Sequence, residues 1–228
     1  MKYINEIQIK TVQAINFIMK FPKRQFHFGQ QLASNYYNKP LDYEAGLAYG
    51  FYKYYEITRI VQGQDLANTD ILQVIKIYDQ LLKNSEDDWF VHILKLLLYD
   101  RLPIAMIDEV DLLRTLYRLF TLQENAANKQ PYFILPFVIH SEYYIRRNRY
   151  EEACRCLLEG LKKAPHTEIP YPDLIPHFFS PVKELYYTIC QSSHKKLYPM
   201  IEQILLIYFP KEADRILAIR ENTNANIV

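Results

Sequence analysis

The chain has 228 residues with 27 basic and 26 acidic side chains, and half of its residues are hydrophobic. That balance lacks the electrostatic footprint of a dedicated nucleic-acid binder, and the apolar content is enough to bury a substantial core. Five glycines against 20 tyrosines and 12 phenylalanines, with no alternating runs between glycine turns, predict an all-α fold joined by short turns.

The first segment, MKYINEIQIKTVQAINFIMKF, carries Asn5, Glu6, Gln8, Lys10, Gln13 and Asn16. These interrupt the apolar core that a secretory signal needs, and no later stretch approaches the ~20 apolar residues that cross a bilayer. The spacing of Ile4, Ile7, Ala14, Ile15 and Ile18 instead predicts an amphipathic helix over 2–20, followed by Pro22. A second helix is expected over 25–37, closed by Asn38-Lys39-Pro40. A third, over 42–61, is apolar on several faces. Leu47, Phe51, Tyr54 and Val61 lie on one side and Ala48, Tyr49 and Tyr52 on the other, so it reads as central and covered twice. Gly46 and Gly50 within it leave room for a neighbouring helix to approach. Tyr36, Tyr37, Tyr43, Tyr49, Tyr52, Tyr54 and Tyr55 crowd this region. They can serve as core filler or as a binding surface, because tyrosine offers wide apolar contact with a polar tip.

Asn68 or Thr69 can cap a fourth helix ending at Lys83, with Ile71, Val74, Ile75, Tyr78, Leu81 and Leu82 as its apolar face. Asp87 or Asp88 opens a fifth over 89–99, and Pro103 begins a sixth reaching Leu122. The polar run 123–130 is a loop, and Pro131 starts the next helix.

Residues 137–165 read FVIHSEYYIRRNRYEEACRCLLEGLKKAP. Arg147-Asn148-Arg149 separates two amphipathic stretches and is short enough to force an antiparallel hairpin. Bulk at Tyr144 is expected to meet the room left by Ala153 and Gly160. Glu151 and Glu152 suit the start of the second helix, Lys162 and Lys163 its end, and Pro165 stops it. With Phe137, Ser141, Tyr144, Tyr150, Ala153, Leu157, Gly160 and Pro165 in these places, the segment resembles one tetratricopeptide repeat. His140 stands where that family usually has leucine. The resemblance implies stacked antiparallel hairpins forming an α-solenoid, with a concave face lined by the first helix of each unit. Here that helix would present Leu135, Val138, Glu142, Ile145 and Arg146. The subgroup that grips chaperone C-terminal carboxylates needs asparagine where this chain has Glu142, whose charge would repel a carboxylate.

Beyond it, Pro165, Pro170, Pro172, Pro176 and Pro181 predict a long irregular connection with a short turn at 173–178. Helices are expected to resume over 182–190, 195–208 and 210–220. This makes about eleven helices in one domain over 1–222 and a frayed tail over 223–228.

Signatures of catalysis are missing from the sequence. No phosphate loop, nucleophile elbow or HExxH motif occurs, and the six histidines are scattered. Cys154, Cys156 and Cys190 form neither a disulfide framework nor a zinc motif, and read as free thiols in a reducing cytoplasm. The expectation is therefore a non-enzymatic, cytoplasmic scaffold or adaptor without metal or cofactor, binding a protein or peptide rather than nucleic acid or membrane. Its contact residues would be Val138, Glu142, Ile145 and Arg146, with Tyr49 and Tyr52 as a further face. A bacterial toxin-neutralising or peptide-sensing regulator, and a helical enzyme without a recognisable motif, are the alternatives.

Overall fold

The computed structural model describes residues 3–59 and 68–225. Among these it contains α-helices and short 3-10 turns and no strand. Contacts gather the chain into two compact units, 1–125 and 126–228.

In the first unit, α1 (Glu6–Ile18) opens with a capping box, in which Asn5 accepts from the Gln8 amide and the Gln8 side chain accepts from Asn5. The Gln8 side chain also donates to the Tyr43 hydroxyl at 2.8 Å and to the Asp88 carboxylate at 2.9 Å. Asp88 in turn caps α5 (Trp89–Tyr99), accepting from the Val91 amide at 3.1 Å. One buried amide thus ties together the starts of three helices.

α2 (Pro22–Asn38) and α3 (Tyr43–Arg59) follow as the spacing predicts, though residues 60 and 61 of the expected third helix, like residue 2 of the first, lie outside the described residues. α3 packs against α1, α2, α4 and α5. Its two glycines face α4 (Asn68–Asn84): a Cβ added at Gly46 would lie 2.7 Å from Leu81 Cδ2, and one at Gly50 would lie 2.7 Å from Tyr78 Cε1. All six residues assigned to the apolar face of α4 are buried. Every residue of α5 (Trp89–Tyr99) is buried, including His92 and Lys95.

The sixth helix starts later than the sequence suggests. Ile104–Met106 form a 3-10 turn, Ile107 is extended, and Asp108 caps α6 (Glu109–Glu124) by accepting from the Asp111 amide. An N-cap aspartate outcompetes continuation of the turn because its carboxylate satisfies an amide that the helix start leaves open.

In the second unit a 3-10 turn over Pro131–Ile134 runs into α7 (Leu135–Arg146), which packs along α8 (Tyr150–Lys163) and against α9 (Ile175–Gln191). α10 (Tyr198–Tyr208) packs on α8, α9 and α11 (Pro210–Ala225). The proline-rich connection is shorter than expected, because α9 runs through Pro181. Pro176 sits in its first turn, where no amide is needed. Pro181 forfeits a helical hydrogen bond at a cost of ~3 kcal/mol. Burial of Phe178, Val182, Leu185, Tyr186 and Ile189 along one face offsets it, each contributing roughly 1.5–3 kcal/mol. At the other end α11 continues through Ala225, so the part of the expected tail over 223–225 is helical, while 226–228 lie outside the described residues.

Candidate functional site

The hairpin of residues 137–165 forms as a unit. α7 ends in a Schellman motif: Arg149 N–H donates to the Tyr144 carbonyl at 2.9 Å and Asn148 N–H to the Ile145 carbonyl at 2.9 Å. Asn148 takes the left-handed conformation that this turn requires, at φ 59°. The guanidinium groups of Arg147 and Arg149 lie 4.8 Å from the ring centroids of Tyr143 and Tyr144, respectively. The packing inside the hairpin differs from the expected pairing. Tyr144 is half-buried and stacks on His140 at 4.4 Å. The side chain that crosses to Ala153 is Ser141, whose hydroxyl donates to the Ala153 carbonyl at 3.2 Å. The space at Gly160 is taken by Ile134 and Phe137.

The residues expected to touch a partner are mostly interior. Val138 and Ile145 are buried, while Glu142 and Arg146 are half-buried. Tyr49 is buried against Tyr36 and Tyr37, with ring centroids 5.3 and 5.9 Å away. Tyr52 is buried beside Phe28 and donates to Glu56 at 2.7 Å. Helical periodicity finds these apolar positions but does not say which of two apolar faces is covered. Val138, Ile145, Tyr49 and Tyr52 are all covered in the folded chain.

His140 does approach a thiol, with Nδ1 3.5 Å from Cys156 Sγ. Burial pushes the Cys156 thiol up to about 11, and burial together with the Arg149 charge pushes His140 down to about 4. Both are neutral at pH 7, so the pair packs without forming the thiolate–imidazolium of an activated nucleophile. Among the described residues no group of three or more His, Cys, Asp or Glu side chains is placed to hold a metal ion.

A buried charge cluster lies in the first unit, across α4, α5 and α6. Lys95 is only 3% exposed and contacts Asp79 of α4 at 2.5 Å and Asp111 of α6 at 2.6 Å. Tyr99, one turn further along α5, also donates to Asp111. Burial pushes the Asp111 carboxyl up, but the hydrogen bonds from Lys95 and Tyr99 outweigh it and hold the group below its ordinary value. His92 sits one turn before Lys95 with Nε2 2.8 Å from the Glu86 carbonyl, and burial lowers its pKa. An ammonium at this depth costs several kcal/mol to desolvate, and two carboxylates supply the compensation.

Asp79, His92, Lys95 and Asp111 line a cleft of about 430 Å³, to which α6 also contributes Arg114, Tyr117 and Arg118. Arg118 is held by Asp87. Along the same helix Val110, Leu113 and Tyr117 are 67%, 42% and 74% exposed. Their spacing of three and four residues places them on one helical face. α6 therefore has two apolar stripes: Leu112, Leu116 and Leu119 are buried, and the second stripe faces outward beside the cleft. That surplus of apolar positions is visible in the sequence of α6 and is the signal that could have pointed to it.

Compared with protein families, curated proteins and solved structures, the chain finds no match. Fold and site together define an all-α protein in which most neighbouring helices within each unit pack on one another. No helix of the described residues is long and apolar enough to cross a membrane.

Proposed function

We propose that this chain is a non-enzymatic helical-repeat scaffold of the tetratricopeptide kind, and that it binds a protein or peptide through the outer face of α6. The observation that carries this reading is the exposed stripe of Val110, Leu113 and Tyr117 beside a cleft of charged side chains. Contiguous apolar surface left open on a helix marks a contact site. An amphipathic partner segment would lay its apolar side chains on the stripe, while Arg114 and Arg118 at the cleft edge set its orientation. The hairpin at 137–165 supports the scaffold part of the reading, because its helix–turn–helix packing is that of a repeat unit.

The test is site-directed photo-crosslinking in cells. A benzophenone side chain at Leu113 or Tyr117 should trap one discrete partner, and the same group at the exposed Tyr187 of α9 should not. Leu113→Asp combined with Val110→Asp should abolish the trapped species while circular dichroism stays unchanged. Equal labelling from Tyr187 and Tyr117 would sink the proposal.

A further inference from the structure

The second unit carries a groove that is independent of the α6 surface. It has a volume of about 640 Å³ and runs between the start of α8 and the turn over 192–197 that leads into α10. The ring of His194 stacks on Tyr150 at 3.2 Å, and this contact pins the turn against α8. Leu197 is buried at the floor, and Cys154 contributes a half-buried thiol. Around this apolar lining stand Arg155, Lys195 and Lys196, all exposed and none of them in an ion pair, against the single acidic group Glu151. The basic side chains elsewhere on α8 are used differently: Lys163 is paired with Glu159, one turn earlier on the same helix. Three uncommitted cations around one apolar groove give it a positive potential that a chain with a formal net charge of only +1 does not have as a whole.

We infer that this groove binds an acidic peptide segment, with an apolar side chain against Tyr150, His194 and Leu197 and flanking carboxylates on Arg155, Lys195 and Lys196. The charge excess selects acidic over basic ligands. The apolar floor selects a peptide carrying hydrophobic side chains over a purely ionic ligand. The carboxylate of Glu151 beside the cations disfavours the denser charge of a phosphate.

Fluorescence anisotropy with short labelled peptides on the full chain tests this. A peptide alternating Glu and Leu should bind saturably and weaken with added salt. A Glu–Ser peptide lacks the apolar side chain and a Lys–Leu peptide has the wrong charge, so both should bind at least about tenfold more weakly. Lys195→Glu with Lys196→Glu should reduce affinity for the Glu–Leu peptide by about tenfold or more. Lys162→Glu with Lys163→Glu makes the same net charge change at the end of α8, outside the groove, and should leave binding within about twofold. Tyr150→Ala should weaken the Glu–Leu peptide without improving the Glu–Ser one. Equal affinity for the three peptides would overturn the inference, as would equal loss from the two charge reversals. Displacement of the Glu–Leu peptide by inorganic triphosphate at lower concentration than by unlabelled peptide would instead make the groove a phosphate site, and would overturn it too.

Discussion

The α7–α8 hairpin and the α4–α5–α6 cluster solve the same packing problem with opposite chemistry. In the hairpin, helices approach because little stands between them: Ala153 and Gly160 supply the space, and the polar contacts across the seam are neutral, the Ser141 hydroxyl to the Ala153 carbonyl and His140 beside the Cys156 thiol. Between α4, α5 and α6 the seam holds a buried ammonium, two carboxylates and a phenol. The hairpin should therefore resist added volume more than the loss of a polar group. The cluster should resist the loss of a charge partner more than a change of volume. A small-residue seam sets only distance, whereas an ion triad sets which three helices meet and in what register.

The contrast can be broken most directly at the carboxylates. Asp79→Asn with Asp111→Asn keeps the shape and leaves Lys95 buried without a counter-charge, so unfolding free energy should fall by about 3–5 kcal/mol. Lys95→Met, which removes the buried charge itself, should cost far less or nothing. Urea titration of both variants decides the matter, and a loss below about 1 kcal/mol for the double variant would show that water already screens the ammonium. Next in size is overpacking of the hairpin: Ala153→Leu should cost about 1–3 kcal/mol, and Ala153→Gly much less. Hydrogen exchange should show faster opening in α7 and α8 for the leucine variant. An unchanged exchange pattern would mean that the seam has slack.

The smallest expected effect compares two buried basic groups. Lys95 keeps carboxylate partners, whereas burial pushes His177 of α9 down to about 4, so it stays neutral in the folded chain at pH 7. Unfolded, the imidazole takes a proton near its ordinary value of 6.5. Its contribution is therefore complete above pH 6.5 and declines as the pH falls toward 4. Between pH 7 and 5.5 this one group should account for about 1 kcal/mol of lost stability. His140, also lowered to about 4, titrates in the same window. His177→Phe should flatten the pH dependence of unfolding by about that amount, and an unaltered slope would show that the imidazole is hydrated in the folded chain.

How much of this could be read from the sequence depended on how local each cause was. The hairpin turn was legible because Arg147, Asn148 and Arg149 form the whole motif within a few residues. So was the face of α4, where one stripe meets one core. The length of α9 was hidden, since Pro181 argues against a helix locally and only the tertiary burial of its neighbours overrides it. The burial of the expected contact residues was hidden for a related reason. Val138, Ile145, Tyr49 and Tyr52 have the composition of a contact site, but their exposure depends on helices distant in sequence. Nothing local pairs Lys95 with Asp79 and Asp111, so the charge cluster emerges only once three helices are assembled.

That assembly has a consequence for synthesis on the ribosome. Asp79 and Lys95 leave the exit tunnel before Asp111, and at ~5–20 residues per second the nascent chain waits on the order of a second for its second carboxylate. During that interval α5, which the folded chain buries on every side, has no wall from α6 and holds an ammonium with half its final compensation. The first unit should therefore stay open until α6 is extruded. Arrested chains long enough to bring α5, but not Asp111, out of the tunnel should be digested readily by protease within α5, and those that expose all of α6 should resist.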